Sequence, residues 1–140
     1  MEVYVSKVIC FEDLIAWQKA GQLTSIIFRL TKSEPFTRNF TLKDQLCRAA
    51  ISVPANIAEG FERDGNKEFI KFLSIAKGSV GEVRSLLYLA KDFEYISPEQ
   101  MDETRALTLE TARLIGGLMR YLQKSDKKGK KFKKAEEMND

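Results

Sequence analysis

The side chains able to do chemistry in this 140-residue chain are carboxylates, amines and guanidiniums, because histidine is absent. That absence excludes Ser-His-Asp and Cys-His nucleophilic catalysis, His-liganded metals and imidazole proton shuttles. It also excludes a di-iron helical bundle, whose ligands include Glu-x-x-His pairs. Acids alone could hold magnesium if two pairs, Glu-x-x-Glu and Glu-x-x-Asp, met on facing helices. Glu59-Gly-Phe-Glu62 supplies the first pair, but Ser85 stands three residues after Glu82 where an acid is needed. Glu99-Gln-Met-Asp102 has the spacing yet opens a helix far along the chain. The oxygen cage is therefore incomplete, and no metal, no cofactor and no catalysis are expected. Cys10 and Cys47 are too few and too far apart for a disulfide framework or a zinc site. They read as small apolar residues in a reducing cytoplasm.

Bases carry the remaining chemistry. Lys67 and Lys71 form an i,i+4 pair just after Arg63, and Lys77, Arg84 and Lys91 recur every seven residues as a second stripe. Glu68, Glu82 and Asp92 are interspersed. The stripes are either a solvated face with salt-bridging partners or a surface for a phosphate backbone. Phe69, Phe72 and Trp17 fall on core rows, which leaves Tyr88 as the candidate stacking aromatic. Any nucleic-acid contact is thus expected to be mostly electrostatic and weakly sequence-selective. The net charge of +3 is unevenly placed: residues 1–123 hold 16 bases and 16 acids, whereas residues 124–140 hold seven lysines and four acids. That final stretch contains Lys127, Lys128, Lys130, Lys131, Lys133 and Lys134 and has too little apolar content to fold alone. It reads as a disordered Lys-rich tail that joins the tentative nucleic-acid-binding set.

The elements that must position these bases are helices. Phe69, Leu73, Ala76, Val80, Val83, Leu87 and Ala90 follow a strict alternation of four and three residues, and comparable rows run through three other segments. This spacing predicts helices over 12–32, 42–59, 66–95 and 98–124, packed near +20° as an all-α, up-down-up-down antiparallel four-helix bundle. Thr41 is expected to N-cap the second helix, Gly60 to end it as a C′ glycine, and Asn66 to cap the third. Ser97-Pro98-Glu99-Gln100 has the residues of a capping box that opens the fourth. Residues 1–123 read as one domain with a short, extended N-terminal arm. The apolar start lacks a basic n-region, and no stretch approaches the ~20 apolar residues of a membrane span, so a cytoplasmic, membrane-free protein is expected.

Three features exceed what one bundle needs. Pro54 lies mid-helix, where it removes an N–H and presses on the carbonyl of Ala50. A structural kink is expected, with Asn56 satisfying freed backbone groups, and the alternative is a ligand notch lined by Asn56 and Glu59. Gly116-Gly117, Gly78 and Gly81 point to close helix approach. The third helix is apolar over an arc of about 160° at 100° per residue, with Ile70, Tyr88 and Leu89 beyond it. That surplus favours self-association through adjacent seams, closing into a ring.

Two passages carry a family resemblance. Phe11-Glu-Asp-Leu-Ile-Ala-Trp-Gln-Lys-Ala20 is one. The other is Leu42 to Gly60, with Ser52-Val-Pro-Ala-Asn-Ile-Ala-Glu-Gly60 at its heart, followed by Phe69 to Ser79. Over about residues 8 to 123 the chain resembles the bacterial four-helix-bundle proteins encoded in intervening sequences of 23S rRNA genes. The accessory variability proteins of diversity-generating retroelements are similar to that family. The resemblance implies a homopentameric barrel without known enzymatic activity, and a basic surface for RNA or a reverse-transcriptase partner. The chain departs from the usual pattern at Pro35-Phe36, an inverted order, and at Cys47, where a basic residue is more usual. A pure protein–protein scaffold with no nucleic-acid contact is the alternative.

Overall fold

The computed structural model describes residues 8–126, and the expected arm and Lys-rich tail, including Lys127, Lys128, Lys130, Lys131, Lys133 and Lys134, fall outside the described residues. Four helices carry the fold: α1 Ile15–Leu30, α2 Phe40–Glu62, α3 Asn66–Asp92 and α4 Pro98–Asp126. Single 3-10 turns at Phe11–Asp13 and Phe36–Arg38 precede α1 and α2, and no strand occurs among the described residues. Each helix packs on its neighbours in sequence, and α1 closes the ring against α4. Contacts run in opposite directions along neighbouring helices joined by short connections. Gln45 meets Glu82 and Ser52 meets Ser79 between α2 and α3, and Asn66 meets Leu122 and Tyr88 meets Arg105 between α3 and α4. Thr24–Ala50 and Lys19–Glu110 tie α1 to α2 and α4. The helices are therefore antiparallel, an up-down-up-down four-helix bundle.

The periodicity located the core. All seven residues of the α3 row, Phe69 to Ala90, are buried, facing Ala16, Ala20, Leu23 and Ile27 of α1 and Leu46, Val53 and Ile57 of α2. Ile70 packs partly buried against this core, whereas Ile75, Tyr88 and Leu89 are exposed. At the head of α1, the Asp13 carboxylate accepts the N–H groups of Ile9 and Cys10 at 3.1 and 3.3 Å. Those two donors hold its carboxyl below the ordinary value. Cys10 and Cys47 are free and half-buried, and the neighbouring Glu12 and Asp13 carboxylates push the Cys10 thiol up.

Several helix ends differ from the sequence expectation, each for a physical reason. Asn39, not Thr41, caps α2: its Oδ1 accepts the Leu42 N–H at 3.0 Å while its Nδ2 donates to the Tyr95 hydroxyl at 3.2 Å. Gly60 does not end α2, which continues to Glu62. Its missing side chain is needed for packing, because a Cβ there would stand 2.7 Å from Phe72 Cβ and 3.0 Å from Phe69 Cδ1. Gly65, at φ 83°, takes the cap position before α3. Asn66 is instead buried, and its Nδ2 donates to the Leu122 carbonyl at 3.1 Å, tying the start of α3 to the last turns of α4. The capping box on α4 is as expected: Ser97 Oγ accepts the Gln100 N–H at 3.0 Å, and Gln100 Oε1 accepts the Ser97 N–H at 2.9 Å.

Candidate nucleic-acid interface

The Pro54 motif forms structural contacts. Helix α2 runs unbroken through Pro54, and the carbonyl of Ala50, deprived of its partner, accepts a hydrogen bond from Thr24 Oγ1 of α1 at 2.9 Å. Thr24 Oγ1 stands equally close, 2.9 Å, to the Ala20 carbonyl of its own helix, so one proton serves two acceptors. Asn56 does not serve the carbonyl that proline frees. Its Nδ2 donates to the Ser52 carbonyl at 2.7 Å, and the Ser52 hydroxyl donates to that of Ser79. Glu59, the other residue of the expected notch, is engaged by Arg63 at 2.8 Å. Among the described residues no group of three or more Cys, Asp or Glu side chains is placed to hold a metal ion.

The basic residues fall into three settings. Arg63 is committed to the α2–α3 turn: Nη2 lies 2.8 Å from Glu59, Nη1 3.6 Å from Glu68, and its guanidinium stacks 4.9 Å over the Phe72 ring. Lys67 and Lys71 project from the outward face of α3 and are exposed. Lys77, Arg84 and Lys91 run along a different edge, the one facing α4, so α3 does not merge its two stripes. Two of the three interspersed acids, Glu82 and Glu68, lie on the opposite edge, toward α2, while Asp92 is exposed at the end of α3. Glu82 accepts a hydrogen bond from Gln45 at 3.2 Å, and Glu68 meets Arg63. Helix rotation thereby separates Glu68 and Glu82 from the edge that carries Lys77, Arg84 and Lys91.

Three bases that were not singled out in the sequence join this edge from α4. A methyl group built on Gly116 would stand 3.4 Å from Arg120 Nη1 and 3.9 Å from Lys77 Nζ, so both cations converge on one glycine. Arg105 donates from Nε to the Tyr88 hydroxyl at 2.8 Å. Arg113, seven residues before Arg120, lies on the same face of α4 one heptad earlier, as Arg84 lies one heptad after Lys77 on α3. The available signal was the Arg113–Arg120 heptad spacing, but it gains meaning only once the α3–α4 register is known. Gly78 and Gly81, expected at a helix contact, are not there: a Cβ on either meets nothing within 4 Å.

Exposed apolar side chains form two separate faces. Phe28, Phe40, Cys47 and Ile51 line a groove of about 400 Å³ between α1 and α2, which Lys43, Asp44 and Arg48 border with charge. Ile75 and Leu89 on the outer side of α3, with Phe93 at its C-terminal cap, are 46%, 42% and 50% exposed. Between the two faces runs the α2–α3 seam, which is polar at Gln45, Glu82, Ser52 and Ser79. No helix of the described residues is long and apolar enough to cross a membrane.

These features define an antiparallel four-helix bundle with a base-lined edge. Residues 12–117 match the model of the 23S rRNA-intervening sequence protein family, and the chain belongs to that family. It is similar in fold to a crystallographically solved protein of unknown function from the S23 ribosomal protein family of Bacteroides thetaiotaomicron VPI-5482. That likeness has a TM-score of 0.69 and 24% identity, and covers 75% of this chain and 98% of that one. Comparison with curated proteins gives no match.

Proposed function

We propose that this protein is a non-enzymatic, cytoplasmic, homo-oligomeric bundle that binds RNA or a ribonucleoprotein through its basic helix edges and tail. The observation that carries this reading is the stripe of Lys77, Arg84 and Lys91. None of the three has an ion pair among the described residues, and they stand in one row on one helix edge. Unneutralised bases at regular spacing suit a phosphate backbone, whose binding is driven by counterion release. Membership of a family named for 23S rRNA intervening sequences supports the choice of RNA, and a reverse-transcriptase-type partner is the ribonucleoprotein variant that the resemblance to retroelement accessory proteins implies.

Assembly is the second part of the proposal. Two unlike apolar faces, one on α1–α2 and one on α3, suit a head-to-tail contact in which each face covers the other on the next copy. Such contacts close as rings, and a pentamer is the ring the family resemblance implies. Filter binding of structured RNA across a salt series tests the first part. Affinity at low salt that falls as salt rises is expected, and no binding at low salt leaves the protein–protein scaffold as the correct reading. Static light scattering tests the second, with a mass of several 16.0 kDa protomers expected and a clean monomer at micromolar concentration against it.

A further inference from the structure

We infer that the α3–α4 seam is a track for single-stranded RNA, with phosphates on Lys77, Arg84, Arg113 and Arg120 and a base stacked on Tyr88. This rests on the RNA reading above and goes further by fixing the surface, three α4 residues and the strandedness of the ligand. The seam is formed by Lys77 and Arg120, which meet at Gly116, by Arg84 and Arg113 one heptad (about 10 Å) further along their own helices, and by Arg105 beyond them at Tyr88. Over these ~22 Å no carboxylate faces the seam. Glu82 is turned to Gln45, Glu110 is held by Lys19 at 3.4 Å, and Asp102 closes the tract one turn before Arg105, level with Lys91. None of Lys77, Arg84, Arg105, Arg113 and Arg120 has an ion pair among the described residues. Five like charges on facing helices repel one another unless an anion lies between them. A polyanion following the helix axes answers all five, and a single small anion does not.

Tyr88 decides the strandedness. Tyr88 is 44% exposed at the end of the tract, and its hydroxyl is fixed by Arg105 Nε, which orients the side chain and leaves the terminal guanidinium nitrogens of Arg105 able to donate. An exposed, oriented aromatic beside bases is the combination that holds unpaired nucleotides, because stacking requires a base that is not already paired. A duplex offers phosphates to the seam but no base to the ring.

The probe is a fluorescein-labelled RNA single strand of about twelve nucleotides, followed by anisotropy across a salt series. Arg84→Gln with Arg113→Gln is expected to weaken binding and to flatten the log–log salt slope by about 1.4, since each single-strand phosphate contact contributes about 0.7. Lys67→Gln with Lys71→Gln removes equal charge from the outward face of α3 and is expected to leave the slope near wild type. Tyr88→Leu should cost about tenfold in affinity, and Tyr88→Phe, which keeps the ring, should restore binding. If the seam pair fails to fold by circular dichroism, Lys77→Gln with Arg120→Gln serves in its place. Wild-type protein that does not bind at low salt overturns the RNA reading itself. Binding that the two double variants weaken equally overturns only the seam. Equal affinity for the corresponding duplex removes the role of Tyr88, and equal affinity for polyglutamate of matched charge reassigns the seam to acidic protein segments.

Discussion

Single side chains settle local conflicts that the backbone of this bundle creates. Pro54 leaves the Ala50 carbonyl without its helical donor, and Thr24 supplies one from α1. Thr24→Val keeps the shape and removes the hydroxyl, so the stranded carbonyl should cost about 1–3 kcal/mol in urea denaturation. In a Pro54→Ala background the alanine N–H answers the same carbonyl, and the cost of Thr24→Val should fall by about 1 kcal/mol or more. Equal costs in both backgrounds would show that the hydroxyl does not compensate for the proline. Glycines behave oppositely according to their neighbours. Gly60→Ala drives a Cβ into Phe72 Cβ at 2.7 Å, and overpacking of about 1–3 kcal/mol should outweigh the ~1 kcal/mol gained in helix propensity. Gly81→Ala meets nothing within 4 Å and should gain about that propensity term. The pair is read from the sign of the shift in urea midpoint: a stabilised Gly60→Ala protein contradicts the packing account.

At the scale of elements, helix ends separate what was legible in the chain from what was not. The Ser97–Gln100 box was legible because donor and acceptor lie three residues apart, so sequence spacing alone places them in contact. Core rows were legible for the same reason, since the 3.6-residue period decides which face each side chain occupies. Gly60 and Asn66 were misread because their determining partners, Phe72 and Leu122, come from other helices. Asn39 won over Thr41 because its amide reaches the Tyr95 hydroxyl as well as the helix end, a contact spanning 56 residues. The basic edge was half legible: Lys77, Arg84 and Lys91 share a period, but Arg105, Arg113 and Arg120 join them only through the antiparallel register of α4. Cap assignment has a direct check. Asn39→Ala and Ser97→Ala should each cost about 1 kcal/mol, and Thr41→Ala should stay within about 0.5 kcal/mol. A Thr41→Ala protein as destabilised as Asn39→Ala would return the cap to the sequence assignment.

For the whole molecule, the unlike apolar faces make a specific prediction about assembly. Ile51→Asp blocks the α1–α2 face and Ile75→Asp the α3 face, and each protein alone should run as a monomer in light scattering. Mixed in equal amounts, each retains one competent face of opposite kind, so the mixture should stop at dimers. A mixture that stays monomeric would show that the two faces do not meet each other. Charge is arranged at the same scale. The 16 bases and 16 acids of residues 1–123 cancel in number, yet rotation of α3 turns Glu68 and Glu82 toward α2 and Lys77, Arg84 and Lys91 toward α4. Net charge therefore underestimates what the α3–α4 edge presents, and a ring would repeat that edge once per protomer.

The shared proton of Thr24 also constrains history. A lineage carrying both Thr24 and Pro54 can lose the proline first, because the restored N–H then makes the hydroxyl dispensable. Losing the hydroxyl first strands the Ala50 carbonyl. Substitutions at the two positions should therefore follow one order, and homologues with Pro54 but a wholly apolar side chain at position 24 should be rare.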